Sequence, residues 1–224
     1  MKKLSRSLAC ALGAGVLSLL AFNSFGQANH FYAKFDVGGG VAADMDLKEF
    51  FGESVGNGTI ELDPGLRLGV AGGYWVTDWF APEVELGAVM NSIKNFGGSS
   101  QVEAAITQLP LMINAKFQLP NKTIATPYAG AGAGFSTTVL TADHLQLGGT
   151  YVDGSQADAV FCWQAFAGVR FTLADNMGLS LEYRFLAADG ANWQAENVFG
   201  TTTDRIAFGD AKIQTVSIAF DWRF

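Results

Sequence analysis

The feature that most constrains this chain is the alternation of side chains in its C-terminal stretch, residues 212–224. Every second residue from Val216 is apolar, namely Val216, Ile218, Phe220, Trp222 and Phe224. The residues in between are small, polar or charged, namely Thr215, Ser217, Ala219, Asp221 and Arg223. A period of two predicts a β-strand whose two faces meet different surroundings. In a transmembrane barrel these would be lipid and a polar lumen, and the alternative is the edge strand of a soluble β protein.

The N-terminus has the composition of a secretory signal peptide. Lys2, Lys3 and Arg6 form a basic head, residues 8–22 form an apolar core, and small residues allow cleavage after Gly26 or after Ala28. We therefore predict a signal peptide over 1–28 and a single domain over 29–224. Cys162 is the only cysteine in that domain, so no intramolecular disulfide is expected.

Composition favours a membrane protein made of strands. Hydrophobic residues make up 49% of the chain, charged residues only 16%, and 27 residues are glycine. No run of 18 apolar residues follows the signal peptide, so no membrane helix is predicted. A closed barrel is the remaining structure that satisfies every backbone polar group in lipid. Without the three cations of the signal peptide, 11 basic residues face 21 acidic ones, which disfavours nucleic acid as a partner.

The same alternation recurs along the domain and predicts eight strands, at 30–41, 66–76, 80–91, 107–118, 128–140, 159–173, 177–185 and 212–224. Long polar segments and short turns connect them in strict alternation, as in outer-membrane barrels. We predict an all-β fold, an eight-stranded antiparallel up-and-down transmembrane β-barrel. Residues 46–51 are expected to form a helical turn, and Pro110 suggests a bulge. Aromatic residues near the short turns predict an interfacial girdle of Phe31, Trp79, Phe80, Phe117, Tyr128, Phe171, Trp222 and Phe224.

Strand parity also assigns charged side chains to the lumen. Six cations and five anions are expected there, namely Lys34, Asp36, Arg67, Glu83, Glu85, Lys116, Arg170, Glu182, Arg184, Asp221 and Arg223. A buried charge without a partner is costly, so this near-balance predicts a network of ion pairs. Because eight strands leave little more room than the side chains fill, we expect a plugged interior. A narrow gated channel is the alternative.

The four long segments are strongly acidic. They hold 14 acidic residues and four basic ones, a net charge of about −10. Such loops could hold divalent cations at a lipopolysaccharide surface or simply be a solvated face that repels wrong contacts. The Asp44-x-Asp46 spacing lacks the remaining residues of a calcium loop, so we predict no metal site.

Catalytic motifs are missing from the sequence. The two histidines, His30 and His144, are not followed two residues later by serine, and no GxSxG, HExxH or CxxC occurs. Gly130, Gly132 and Gly134 precede no predicted helix, so they are not a nucleotide loop. They are expected to let a bulky residue, Phe166 or Arg170, lie across the wall. We predict no enzyme and no cofactor, and a lipid-modifying enzyme is the third-ranked interpretation.

Several motifs resemble the small outer-membrane β-barrel family, which includes opacity-porin-like and OmpA-transmembrane-like proteins. They are Asp-Pro-Gly-Leu-Arg-Leu-Gly at 63–69, Gly-Tyr-Trp-Val-Thr-Asp-Trp-Phe at 73–80, Glu-Leu-Gly at 85–87, Pro-Tyr-Ala-Gly-Ala-Gly-Ala-Gly at 127–134 and the terminal Phe224. The resemblance implies a protein of the outer membrane of a Gram-negative-type bacterium, in contact with lipid and lipopolysaccharide. Since eight strands suffice for a closed barrel, a monomer is expected. The resemblance also implies that Phe220, Trp222 and Phe224 form the signal read by the barrel-assembly machinery.

For function, the resemblance implies a structural or adhesin-like surface role, with an extracellular ligand bound by the acidic loops. The alternative that it implies is a narrow porin-like channel for ions or small solutes.

Overall fold

A computed structural model describes residues 30–50, 53–96, 103–147, 150–196 and 203–224, so the predicted signal peptide lies outside the described residues. In these ranges the chain forms twelve strands: β1 (His30–Ala42), β2 (Met45–Phe50), β3 (Glu53–Leu62), β4 (Gly65–Trp75), β5 (Phe80–Phe96), β6 (Glu103–Gln118), β7 (Ala125–Leu147), β8 (Thr150–Ala174), β9 (Met177–Ala188), β10 (Asn192–Glu196), β11 (Thr203–Phe208) and β12 (Ala211–Arg223). Within the same ranges, no helix is long and apolar enough to cross a membrane.

Eight of these strands close into an antiparallel barrel in the order β1, β4, β5, β6, β7, β8, β9, β12. The barrel closes where β12 pairs with β1, in a register that runs from Tyr32↔Arg223 to Ala42↔Ile213. Short turns at 76–79, 119–124 and 175–176 lie at one end, which we call the tight-turn end. The predicted eight-stranded barrel is confirmed.

The outer wall of the barrel is apolar, as the alternation predicts. On β12, Val216, Ile218, Phe220 and Trp222 are exposed, whereas the residues between them are buried. Near the tight-turn end, Trp79 stacks on Phe117 with the ring centroids 6.0 Å apart. A period of two therefore sorts the side chains between two environments, which is the expected pattern for a lipid-facing wall.

The prediction that Tyr128 belongs to the outer aromatic girdle is wrong. Its side chain is buried inside the barrel, where the hydroxyl donates a hydrogen bond of 2.9 Å to Glu182. Tyr128 has the strand parity of Gly130, Gly132 and Gly134, so it points to the lumen with them.

Pro110 causes no bulge, contrary to the sequence-based expectation. The pairs Leu86↔Leu111 and Val89↔Gln108 keep one register across the proline. Only the pairing next to Pro110 is interrupted, because proline lacks the N–H group that the ladder needs. Gly87 faces the proline, and a Cβ at that position would lie 3.1 Å from the ring, so the glycine provides the room that a bulge would otherwise have to create.

The lumen-facing glycines admit a bulky side chain, as expected. The ring of Phe166 lies against Gly130, where a Cβ would come within 2.7 Å of both that ring and the carbonyl oxygen of Ala115. Arg170, the other candidate, lies against Gly178 instead.

The long segments opposite the tight turns are largely strands instead of open loops. β7 and β8 continue far beyond their predicted ends, and β2 forms where a helical turn was predicted. Met45 and Leu47 alternate with Asp46 and Lys48, a period of two that fits a strand better than a helical turn.

Two hairpins, β2–β3 and β10–β11, make up what we call the outer cap. They join through the pair Ile206↔Phe50, and β3 continues the sheet onto the end of β5 through Ile60↔Phe96. The cap therefore lies at the end of the barrel opposite the tight turns, and its apolar side chains are buried.

Candidate functional site

The barrel interior is the best-defined candidate site, and it brings together the charged residues that strand parity assigns to the lumen. Ten of the eleven are at most 6% exposed, and Arg223, at the tight-turn end, is partly buried. They project from seven strands: Lys34 and Asp36 from β1, Arg67 from β4, Glu83 and Glu85 from β5, Lys116 from β6, Arg170 from β8, Glu182 and Arg184 from β9, and Asp221 and Arg223 from β12.

The centre of the lumen holds a chain of five charges of alternating sign. Arg67 donates from Nε to Asp36 at 2.9 Å and from Nη2 to Glu85. Arg184 donates from Nη1 to both oxygens of Glu85, at 2.7 and 2.8 Å, and from Nη2 to Glu182. Because these residues lie on β1, β4, β5 and β9, the chain of charges ties non-adjacent strands together across the interior.

Lys34 extends this network toward the tight-turn end. Its Nζ lies 3.4 Å from Glu182 and 3.6 Å from Glu83. Glu83 also accepts a hydrogen bond of 2.6 Å from the hydroxyl of Tyr32. Glu83, Glu85 and Glu182 are thus each held by more than one donor, which offsets the cost of removing them from water.

Lys116 is held mainly by aromatic rings. Its ammonium lies 4.6 Å from the ring centroid of Tyr128, 4.8 Å from that of Tyr32 and 5.9 Å from that of Trp75. Its nearest carboxylate oxygen, on Glu83, is 3.9 Å away. Cation–π attraction therefore supplements a long ion pair at this position.

Two neutral amides complete the network, and charge counting on the sequence did not assign them a role. Asn114 donates from Nδ2 to Glu83 and to Glu85, each at 3.0 Å. Gln164 donates from Nε2 to the Oδ1 of Asn114 at 2.8 Å. Strand parity indicates that both amides face the lumen, but it does not identify their hydrogen-bond partners.

A smaller group lies at the tight-turn end. The Nε of Arg170 lies 2.9 Å from both carboxylate oxygens of Asp221, and its Nη1 donates to Thr172 at 3.0 Å. The Nε of Arg223 lies 4.0 Å from Asp221. His30 begins β1 at the same end.

The cap end of the lumen is apolar, which the sequence did not lead us to expect. The largest hydrophobic cluster combines lumen-facing residues of the barrel with side chains of the cap, and the buried cap residues are Met45, Leu47, Phe50, Ile60, Trp193, Ile206 and Phe208. Trp193 and Phe208 meet edge to face with centroids 4.4 Å apart. The cap thus places an apolar layer over the charged one.

Cys162 lies within this apolar cluster. It is fully buried, and its Sγ is 3.2 Å from the Sδ of Met112. The thiol is free, and its surroundings are those of a small core residue.

The exposed surface of the cap end carries acidic side chains. Asp44, Asp46, Asp189 and Asp210 are exposed. Other acidic residues counted in the sequence, including Asp143 and Asp153, have side chains outside the described part, as does His144. Among the described residues, no three His, Cys, Asp or Glu side chains are grouped so that they could hold a metal ion.

The predicted assembly signal lies on the last strand. Phe220 and Trp222 face outward and are exposed, and the backbone N–H of Phe224 donates to the carbonyl of Phe31 at 2.8 Å.

Residues 9–224 match the family described as outer membrane protein beta-barrel domain. Comparison with curated protein sequences gives no match. Among solved structures, the chain is similar to the outer membrane protein OprG from Pseudomonas aeruginosa, with a TM-score of 0.60, 14% identity and coverage of 88% of this chain and 97% of that one. It is also similar to the outer membrane protease OmpT from Escherichia coli (TM-score 0.55, 6% identity, 91% and 99% covered) and to Neisserial surface protein A (TM-score 0.54, 14% identity, 88% and 100% covered). Identities this low show a common fold and leave the activity open.

Proposed function

The chain belongs to the outer membrane protein beta-barrel family, and from this premise we propose that it is a closed, non-catalytic barrel whose acidic outer cap carries a surface-interaction role. Proteins of this family lie in the outer membrane of Gram-negative bacteria. By the usual orientation of such barrels, the tight turns face the periplasm and the cap faces the outside.

The observation that carries this proposal is the double closure of the lumen. Ion pairs such as Arg67–Glu85 and Arg184–Glu85 cross the interior, and the apolar cluster around Trp193 fills the cap end of the lumen. We infer that a barrel filled in this way does not work as an open pore. The function then falls to the surface that the cap presents.

The exposed part of the cap end is suited to cationic partners. Asp46 lies on β2, and Asp44 and Asp210 lie in the β1–β2 and β11–β12 connections, where the N–H of Gly209 donates to the carbonyl of Asp46. The negative potential of these exposed carboxylates attracts basic groups on an extracellular ligand, or divalent cations that bridge to lipopolysaccharide. We also propose that the protein is a monomer, and that the barrel-assembly machinery recognises Phe220, Trp222 and Phe224 when it inserts the barrel.

The test is to neutralise the acidic surface while keeping the apolar side of the cap. We expect Asp44→Asn, Asp46→Asn and Asp210→Asn together to weaken binding of the protein in nanodiscs to an immobilised lysine-rich peptide about tenfold, since exposed pairs contribute about 0.5 kcal/mol each. Biolayer interferometry at physiological salt would measure the effect.

The matched control neutralises Asp78 and Asp175, exposed acids at the tight-turn end. Equal weakening by both sets would mean that only net charge matters, and the cap would lose its proposed role.

A narrow channel is the second candidate, and one observation favours it. Several buried lumen atoms have no hydrogen-bond partner among the described residues: Gln108 Oε1, Gln164 Oε1, Ser136 Oγ, Thr215 Oγ1 and Ser217 Oγ. Leaving such groups unsatisfied is costly, and water could satisfy them and form a polar path.

Conductance in a planar bilayer separates the two candidates. We expect no discrete openings from the folded protein, because the apolar cluster above the network excludes water and ions. A heat-dependent gel shift would establish that the barrel had formed. Discrete openings from folded protein would place the channel first.

A further inference from the structure

The charges of the lumen are balanced in the centre but not at the periplasmic end. The central network holds four acids and four bases, namely Asp36, Glu83, Glu85 and Glu182 with Lys34, Arg67, Lys116 and Arg184. At the tight-turn end, Arg170 and Arg223 share the single carboxylate of Asp221. The lumen-facing side chains at this end therefore have one positive charge in excess, while the exposed acids Asp78 and Asp175 lie on the turns outside the lumen.

Hydrogen-bond donors without a partner among the described residues also lie at this end, and the Nη1 of Arg67 and the Nε of Arg184 are further ones in the charge-balanced centre. Arg170 donates hydrogen bonds from Nε and Nη1. Its Nη2 has no partner among the described residues and is buried, since the residue is only 6% exposed. The Nε of Arg223 and the Nε2 of His30 are likewise buried without a partner. A buried guanidinium N–H without an acceptor is costly, so the donors of Arg170 and Arg223 call for an acceptor that the described residues do not supply.

The arginines are fixed in place. Arg170 lies flat on Gly178, where any Cβ would collide with the guanidinium. The guanidinium of Arg223 lies 5.8 Å from the ring centroid of Trp75, which pairs with His30 across β1 and β4. Arg170 and Arg223 both lie within 4.0 Å of Asp221, and His30 begins β1 at the same end of the lumen. We call these four residues the basic mouth.

We propose that the basic mouth binds a phosphate-type oxyanion between Arg170 and Arg223. Guanidinium groups recognise phosphate through paired N–H donors. The free N–H donors on two separate guanidinium groups, Nη2 of Arg170 and Nε of Arg223, can each meet a different oxygen of a phosphate group. The side chain of Arg223 is 23% exposed, so the anion reaches the site from the periplasmic side.

Two sources of this chemistry are available at that end. Trp79, in the 76–79 turn, and Trp222, near the end of β12, lie at the same end of the barrel, and aromatic girdles mark the level of the lipid headgroups. The ligand is therefore either a phospholipid headgroup of the inner leaflet or a soluble phosphate of the periplasm. The chemistry recognised is the same in both cases.

The test uses the full chain refolded in uncharged maltoside micelles. Inorganic phosphate is titrated in one series and phosphatidic acid mixed into the micelles in the other, while the Nε–H resonances of Arg170 and Arg223 are followed by NMR. We expect saturable shifts of both resonances. Arg170→Gln should weaken binding about tenfold or more, the usual effect of losing a hydrogen bond to a charged group.

Asp221→Asn distinguishes binding from a purely structural role. It removes the carboxylate that competes for the same donors, so phosphate should bind more tightly. Lys122→Gln, which removes an exposed cation at the same end, should leave binding unchanged. If Arg170→Gln does not give the folded gel-shift form, Arg223→Gln takes its place, because that side chain is partly exposed.

Saturation by inorganic phosphate supports the site with a soluble ligand, and saturation by phosphatidic acid alone supports it with a lipid ligand. The proposal is overturned if neither series saturates. It is also overturned if Asp221→Asn weakens binding as Arg170→Gln does, or if Lys122→Gln has an equal effect.

Discussion

Glu85→Gln is expected to lower the free energy of unfolding of the barrel by about 3–5 kcal/mol, the usual cost of removing one partner from a buried ion pair. Glu85 is fully buried, and the groups within hydrogen-bond distance of it are donors on Arg67, Arg184, Asn114 and Gln164. A glutamine would point its own NH₂ group at some of these donors and leave two guanidinium groups short of negative charge. Urea unfolding followed by the gel shift would measure the change.

The control is Glu61→Gln on the exposed surface. Glu61 lies 3.7 Å from Lys94, and both side chains are largely in solvent. Pairs of this kind contribute about 0–1 kcal/mol. If the two substitutions cost the same, the central network would not stabilise the barrel, and the plugged lumen would need another explanation.

Trp193→Ala is expected to open the outer cap while the barrel stays closed. Trp193 is the largest fully buried side chain among the described residues, and it packs against Phe208 in the cluster that joins the cap to the barrel. Truncating a buried tryptophan costs about 3–5 kcal/mol, so the open cap should become about a hundredfold more populated or more. Hydrogen exchange measured by mass spectrometry should show faster exchange in β10 and β11.

The ladder between β1 and β12 is expected to keep its protection in this variant, since it does not depend on the cap. Trp163→Ala is the matched control, because Trp163 lies on the outward face of β8 and is 47% exposed. Uniformly faster exchange throughout the barrel in Trp193→Ala would contradict the separation of cap and barrel.

These two expectations concern two layers of the same lumen that are closed by different forces. The charged layer depends on donor–acceptor matching, which one substitution at Glu85 disturbs at several partners. The apolar layer depends on excluding water, which the cap hairpins achieve by burying one face of each strand. The proposed closure of the lumen therefore depends on both the charged layer and the apolar layer.

The sequence by itself determined the barrel wall. Alternation in 212–224 and in seven other segments fixed which side chains face outward, because a period of two is a local property of an extended backbone. The same parity assigned Glu85, Arg184 and the other charged residues to the interior. It also pointed Tyr128 inward, although the aromatic character of that residue led to its wrong assignment to the girdle.

Only the tertiary structure decided which charges meet. Glu85 is bound by Arg67, 18 residues away, and by Arg184, 99 residues away. The cap is also a non-local result, since its two hairpins join through Phe50 and Ile206. Parity gives the direction of a side chain, whereas its partner depends on strand order and on closure of the barrel, which bring distant segments to the same place.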